Sequence, residues 1–144
     1  MSDKLRVQTN ENEGKMNSRA KYWIELAEYD METAKVMHKG KRYLYVGFMC
    51  HQTVEKGLKA ILAKIKEEET PPKIHNLIRL SKMAGINIEL NEEQHRFISS
   101  LNPLNLETRY PEDRESLHGL LKSRDCESLL SKTEELLQWI KQQL

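Results

Sequence analysis

The stretch YVGFMCHQTVEKGLKAILAKIK, Tyr45 to Lys66, decides how the chain is read. Val46, Cys50, Val54, Leu58, Ile61, Leu62 and Ile65 recur at the spacing of an α-helix with one apolar side, which Tyr43, Gly47 and Gly57 join. Each glycine costs about 1 kcal/mol relative to alanine in a helix interior, so their position predicts close approach of another helix. Beside the apolar side runs a polar strip, Gln52, Glu55, Lys56 and Lys59. Glu55 and Lys59 stand at i, i+4 in the favourable order, worth about 0.2–0.5 kcal/mol on an exposed face. A solvated face therefore explains the strip from periodicity alone. The alternative is a site in which Lys56 and Lys59 offer cations to phosphates while Gln52 hydrogen-bonds a base or ribose.

Helical signals extend in both directions. Upstream, Asn17 and Ser18 are good N-caps. Ala20, Ile24, Ala27, Met31 and Ala34 form one apolar series, and Tyr22, Leu26, Tyr29, Thr33 and Val36 a second. Two series predict a helix touching two neighbours and ended by Gly40. The short turn that follows makes the first two helices antiparallel. Downstream, KEEETPPK breaks the chain, because paired prolines cannot continue a helix. A short third helix carries Ile74, Leu77, Ile78, Ser81 and Ala84, with Gly85 placed to cap it. Asn91 and Gln94 have the spacing of a capping box for a fourth helix, with Phe97, Ile98, Leu101 and Leu104 inward. Residues 107–122 are the least periodic part after the N-terminus. The last helix is expected near Asp125, burying Leu129, Leu130, Thr133, Leu136, Leu137 and Ile140. The expected fold is all-α, an antiparallel up-and-down bundle of about five helices over residues 18–144, preceded by a flexible polar arm over 1–17.

Composition agrees. Charged residues make up 31% and aromatics 6% of the 144 residues, which suits helices better than strands. A formal charge of +1 excludes a protein that holds nucleic acid by bulk charge. Cys50 and Cys126 fall inside apolar helical patterns and read as core residues of a reducing compartment. No apolar run reaches bilayer length and the first residues lack a signal-peptide core, so a cytoplasmic protein without a membrane role is expected. His38, His51, His75, His95 and His118 have no metal-ligand spacing, and there is no glycine-rich phosphate loop, so neither a metal nor a cofactor is expected. Trp23, Phe48, Met49 and Trp139 lie at the edges of the apolar series. Exposed together they would form a patch that a two-fold dimer covers.

A second candidate is NLETRYP, Asn105 to Pro111. Pro111 drives Tyr110 toward an extended conformation and fixes the directions of Arg109 and Tyr110. A guanidinium fork beside an aromatic ring suits phosphate and base recognition. The bland reading is an Arg109–carboxylate clamp, with Glu55 as the partner, that pins the loop to the bundle. The loop and the polar strip are expected to meet across one cleft.

The ordered set YLYVGFMCHQTVEKGLKAIL, PPKIHNLIRL and RYP resembles the HEPN domain (higher eukaryotes and prokaryotes nucleotide-binding), from about Ser18 to the C-terminus. The resemblance implies an antiparallel helical bundle, commonly a homodimer, often paired with a minimal nucleotidyltransferase in a two-component or toxin–antitoxin system. It assigns Gln52, Lys56, Lys59, Arg109 and Tyr110 to a nucleotide or RNA, with Glu55 and His75 structural or at the site's edge. Many family members are metal-independent ribonucleases with an R-x(4–6)-H motif. Here three residues separate Arg114 from His118 and eight separate Arg109 from His118, so no arginine–histidine pair has that spacing. The expectation is a non-catalytic nucleotide- or RNA-binding module. Two alternatives stand beside it: a ribonuclease toxin using Arg109 or Arg114 with His118, and a purely structural dimerisation domain.

Overall fold

The computed structural model describes residues 17–67, 69–108 and 121–144. Among them are five α-helices and no strand: α1 Ser18–Lys39, α2 Tyr43–Ile65, α3 Leu77–Met83, α4 Glu92–Leu101 and α5 Ser123–Gln142. Two 3-10 turns, Asn102–Leu104 and Leu106–Thr108, follow α4. The all-α bundle expected from the periodicity is the fold observed. Residues 1–16 of the expected arm lie outside the described residues. Asn17, the arm's expected last residue, is the N-cap of α1: its Oδ1 accepts from Ala20 N at 2.8 Å, and its Nδ2 donates to Ala63 O at 3.1 Å.

Local chemistry sets the helix ends. Asn91 and Gln94 form the reciprocal capping box at α4, each side chain taking the other's backbone N–H. After α3, Gly85 adopts φ 73° while Ile86 N bonds to Ser81 O and Gly85 N to Lys82 O, a Schellman closure. The same closure ends α1, one residue later than expected. Gly40 has φ −81°, and Lys41 takes the left-handed position with φ 60°. The helix α5 starts at Ser123 rather than Asp125, because the Asp125 carboxylate reaches back to accept from Lys122 N at 3.2 Å.

Helix α2 is the axis of the bundle, touching α1, α3, α4, α5 and the first 3-10 turn. From Cys50 to Ala63 every residue except Lys56 is buried. The core joins Val54, Leu58 and Ile61 of α2 to Met31 of α1, Leu80 of α3, Ile98 and Leu101 of α4, and Leu137 and Ile140 of α5. Both α2 glycines mark close approaches, as their place in the pattern predicts. A Cβ on Gly57 would lie 3.2 Å from Ile140 Cδ1. A Cβ on Gly47 would lie 3.1 Å from Leu121 and 3.2 Å from Leu104.

Three apolar expectations need correction. The second series of α1 does not meet a neighbour: Tyr22, Tyr29 and Val36 are exposed. The partners α2 and α5 close on the alanine-rich series, whose small side chains allow near approach, and leave the other series outside. Ile65 is exposed at the end of α2. Trp23, Met49 and Trp139 are half-buried against the core, and Phe48 is half-buried as well, so those four do not make the bare patch. Among the described residues the exposed large apolar side chains are Tyr22, Tyr29, Val36, Tyr45, Ile65, Met83 and Ile88. Among the described residues no helix is long and apolar enough to cross a membrane.

Candidate functional site

Helical spacing puts Gln52, Glu55, Lys56 and Lys59 along one side of α2. That side is not solvated. Gln52, Glu55 and Lys59 are 6%, 4% and 5% exposed, which rules out the solvated-face explanation of the strip. One turn of α2 therefore carries buried charge, and such charge persists only where partners compensate its lost hydration.

The partners come from other elements. Glu55 is the hub: Oε2 accepts from Lys59 Nζ at 3.1 Å, and Oε1 lies 2.9 Å from His75 Nδ1. His75 belongs to the extended connection before α3, so this bond ties that connection to α2. The Lys59 ammonium also lies 5.5 Å from the ring centre of Trp23 on α1, a cation–π contact. Lys56 is paired with Asp30 of α1, a buried carboxylate within that helix's apolar series. The strip is thus packed between α1, which supplies Trp23 and Asp30, and the connection that supplies His75. Gln52 is the exception. Its side-chain Nε2 is buried without a hydrogen-bond partner among the described residues.

Beneath the strip lies His51, with a fully buried ring. Its Nδ1 is 3.9 Å from Glu55 Oε1, too far for a hydrogen bond, and neither ring nitrogen has a well-formed one. Burial pushes its pKa down to about 4, overriding the pull toward charge from the Glu55 carboxylate and the His75 carbonyl, so the ring is neutral at physiological pH. Burial also raises the thiols, Cys50 to about 12 and Cys126 to about 11, which leaves both as inert core groups. Among the described residues no group of three or more histidines, cysteines and carboxylates is arranged to hold a metal ion.

Arg109, Tyr110, Arg114 and His118 lie outside the described residues, and so does the expected meeting of the Arg109–Tyr110 loop with the strip. The residues that bracket this segment are described. Asn102 Oδ1 accepts from Leu77 N at 2.9 Å, two residues after His75. Leu104 and Leu121 both close on Gly47, one helical turn before His51 on the same side of α2. Away from the strip, a groove of about 440 Å³ runs between α4 and α5, lined by Phe97, Leu104, Leu121 and Leu129 among others. It contains none of the expected site residues.

Three residues of this neighbourhood escaped the sequence reading. Asp30 carries a usable signal, an acid at a core position of α1 between Ala27 and Ala34. Trp23 and His51 carry none that distinguishes a site from a core edge.

The family model of the HEPN domain matches residues 20–143. The chain belongs to the HEPN domain family. Two solved structures share the fold of this HEPN domain. TT1696 from Thermus thermophilus is 18% identical with a TM-score of 0.73, the match covering 89% of this chain and 100% of that one. ST0689, described as an archaeal HEPN homologue, is 20% identical with a TM-score of 0.59, covering 88% of this chain and 98% of that one. No curated protein matches the chain.

Proposed function

We propose that this HEPN domain is a cytoplasmic, non-catalytic nucleotide- or RNA-binding module that works as a homodimer beside a minimal nucleotidyltransferase. The observation that carries the binding reading is the unfinished hydrogen bonding of the strip. Gln52 keeps a buried amide donor with no partner among the described residues, beside charges on the same strip that are compensated. A buried unsatisfied donor costs about 1–3 kcal/mol, which favours a small side-chain shift that brings it to a ligand's acceptor at the edge of the strip. The neighbouring strip residues carry contacts to an aromatic ring, Trp23 against Lys59, and to an imidazole, His75 on Glu55, chemistry that suits a base and a ribose. Each lysine ammonium has three donors and uses one on its carboxylate, so Lys56, 22% exposed at its side chain, retains donors for phosphate. Arg109 and Tyr110 complete the site in this reading, from the segment rooted beside His75 and Gly47.

The dimer has its own support. On α1, Tyr22, Leu26, Tyr29, Thr33 and Val36 step by four and three, the spacing of a coiled-coil seam, and three of them are exposed. A second copy related by a two-fold axis covers such a seam with the same surface. Calorimetric titration with ATP, other nucleotides and short RNA tests the binding reading. Saturable heat that falls with Gln52→Leu supports it; no binding to any of them, alone or with the nucleotidyltransferase, overturns it. Sedimentation of wild type against Tyr29→Glu tests the dimer, whose mass should halve in the variant.

A further inference from the structure

His75 meets the strip from the connection before α3, with one end of its ring fixed and the other free. Its Nδ1 lies 2.9 Å from Glu55 Oε1, and the Glu55 carboxylate is itself held through Oε2 by Lys59. A carboxylate paired with a lysine only accepts hydrogen bonds, so the imidazole proton resides on Nδ1. In the neutral ring that leaves Nε2 as a bare acceptor. Nε2 has no partner among the described residues, and the side chain is 38% exposed, so this lone pair faces outward. Lys59 is in turn steadied by Trp23, 5.5 Å from its ring centre. The series Trp23, Lys59, Glu55, His75 therefore fixes a ring's tautomer and orientation and ends in one outward acceptor.

An outward acceptor repels phosphate oxygens and accepts from a hydroxyl. Resting on the nucleotide reading above, we propose that His75 is a specificity-determining residue that takes a hydrogen bond from a ribose hydroxyl, with Glu55 as the positioning residue that holds the ring proton on Nδ1 and so turns the Nε2 lone pair outward. The ligand class is thereby narrowed to ribonucleotides over deoxyribonucleotides. The magnitude follows from a single neutral hydrogen bond, a preference of roughly threefold to tenfold.

The test is a comparison of equilibrium binding to the full-length chain for ATP, its 2′-deoxy and 3′-deoxy analogues, and ribo- and deoxyribo-oligonucleotides of one sequence. Wild type should favour the hydroxyl-bearing ligand by roughly threefold to tenfold. Two variants separate the two ends of the ring. An asparagine amide reaches where Nδ1 stands, so His75→Asn keeps the bond to Glu55 and removes the outward acceptor; its preference should fall to about one while binding persists. A glutamine amide reaches where Nε2 stands, so His75→Gln keeps an outward acceptor and should retain part of the preference. Equal affinity of wild type for ribo- and deoxy-ligands overturns the inference and leaves the nucleotide reading intact. So does an unchanged preference in His75→Asn. Absence of all nucleotide binding overturns both together.

Discussion

Replacing Glu55 by glutamine removes one charge from the hub and nothing from its shape. In the wild type, Lys59 and Glu55 side chains are only 7% and 5% exposed and 3.1 Å apart. Removing one member of such a buried pair costs about 3–5 kcal/mol, because the remaining charge stays dehydrated. Two contacts soften that cost here. The Trp23 ring still faces the ammonium, and the new amide oxygen still accepts a hydrogen bond, together recovering about 1–2 kcal/mol. The expected loss for Glu55→Gln is about 2–3 kcal/mol, or a fall in Tm of roughly 6–12 °C for a domain of this length. The double variant Glu55→Gln, Lys59→Met buries no unpaired charge and should recover to within about 1 kcal/mol of wild type. Urea unfolding followed by far-UV circular dichroism reads all three proteins. A loss below about 0.5 kcal/mol in the single variant, or a double variant no better than the single, would refute the reasoning that Glu55 compensates a buried ammonium.

Three further outcomes follow from other parts of the bundle. His51 binds its proton with a pKa of about 4 when folded and 6.5 when unfolded, so its contribution is complete above pH 6.5 and is lost as pH falls toward 4. That loss is about 3 kcal/mol, and His51→Leu should flatten this part of the urea-midpoint profile without destabilising at pH 7. At the α1 end, Lys41→Gly should raise stability by about 0.5–1 kcal/mol by relieving a left-handed backbone, and Gly40→Ala by a similar amount because its φ is ordinary. Thermal melts of both check this; a loss in Lys41→Gly contradicts the cap assignment. Gly57→Leu should cost about 2–3 kcal/mol in urea unfolding, since even a methyl group there meets Ile140 at 3.2 Å.

What the chain revealed on its own was whatever depends on neighbours in sequence. Helix periods, the Asn91–Gln94 box and the Gly85 cap are of this kind, and all are present; the two α2 glycines showed by their place in the period that a helix comes close, but not which residues do. The turn at Gly40 shows the limit: a glycine beside a helix end marks the turn but not which residue turns left-handed, and Lys41 does. The strip shows a deeper one. Gln, Glu and Lys at helical spacing look alike whether solvated or enclosed. What encloses them is Trp23 and Asp30 on the preceding helix, and His75 on the connection that follows. The charge of Asp30 among apolar neighbours was a readable sign of a buried partner. The neutral His51 was not, because its state follows from burial that only the assembled bundle creates. The RYP motif was legible as sequence, but its place relative to the strip depends on a segment outside the described residues.

Amide and histidine side-chain NMR of the full chain during titration with ATP examines the α2 strip itself. Binding at the strip predicts saturable shifts of the Gln52 side-chain amide and the His75 ring, with the α4–α5 groove around Phe97 and Leu129 unmoved. Shifts confined to that groove, or none at Gln52 and His75 at saturation, would contradict it.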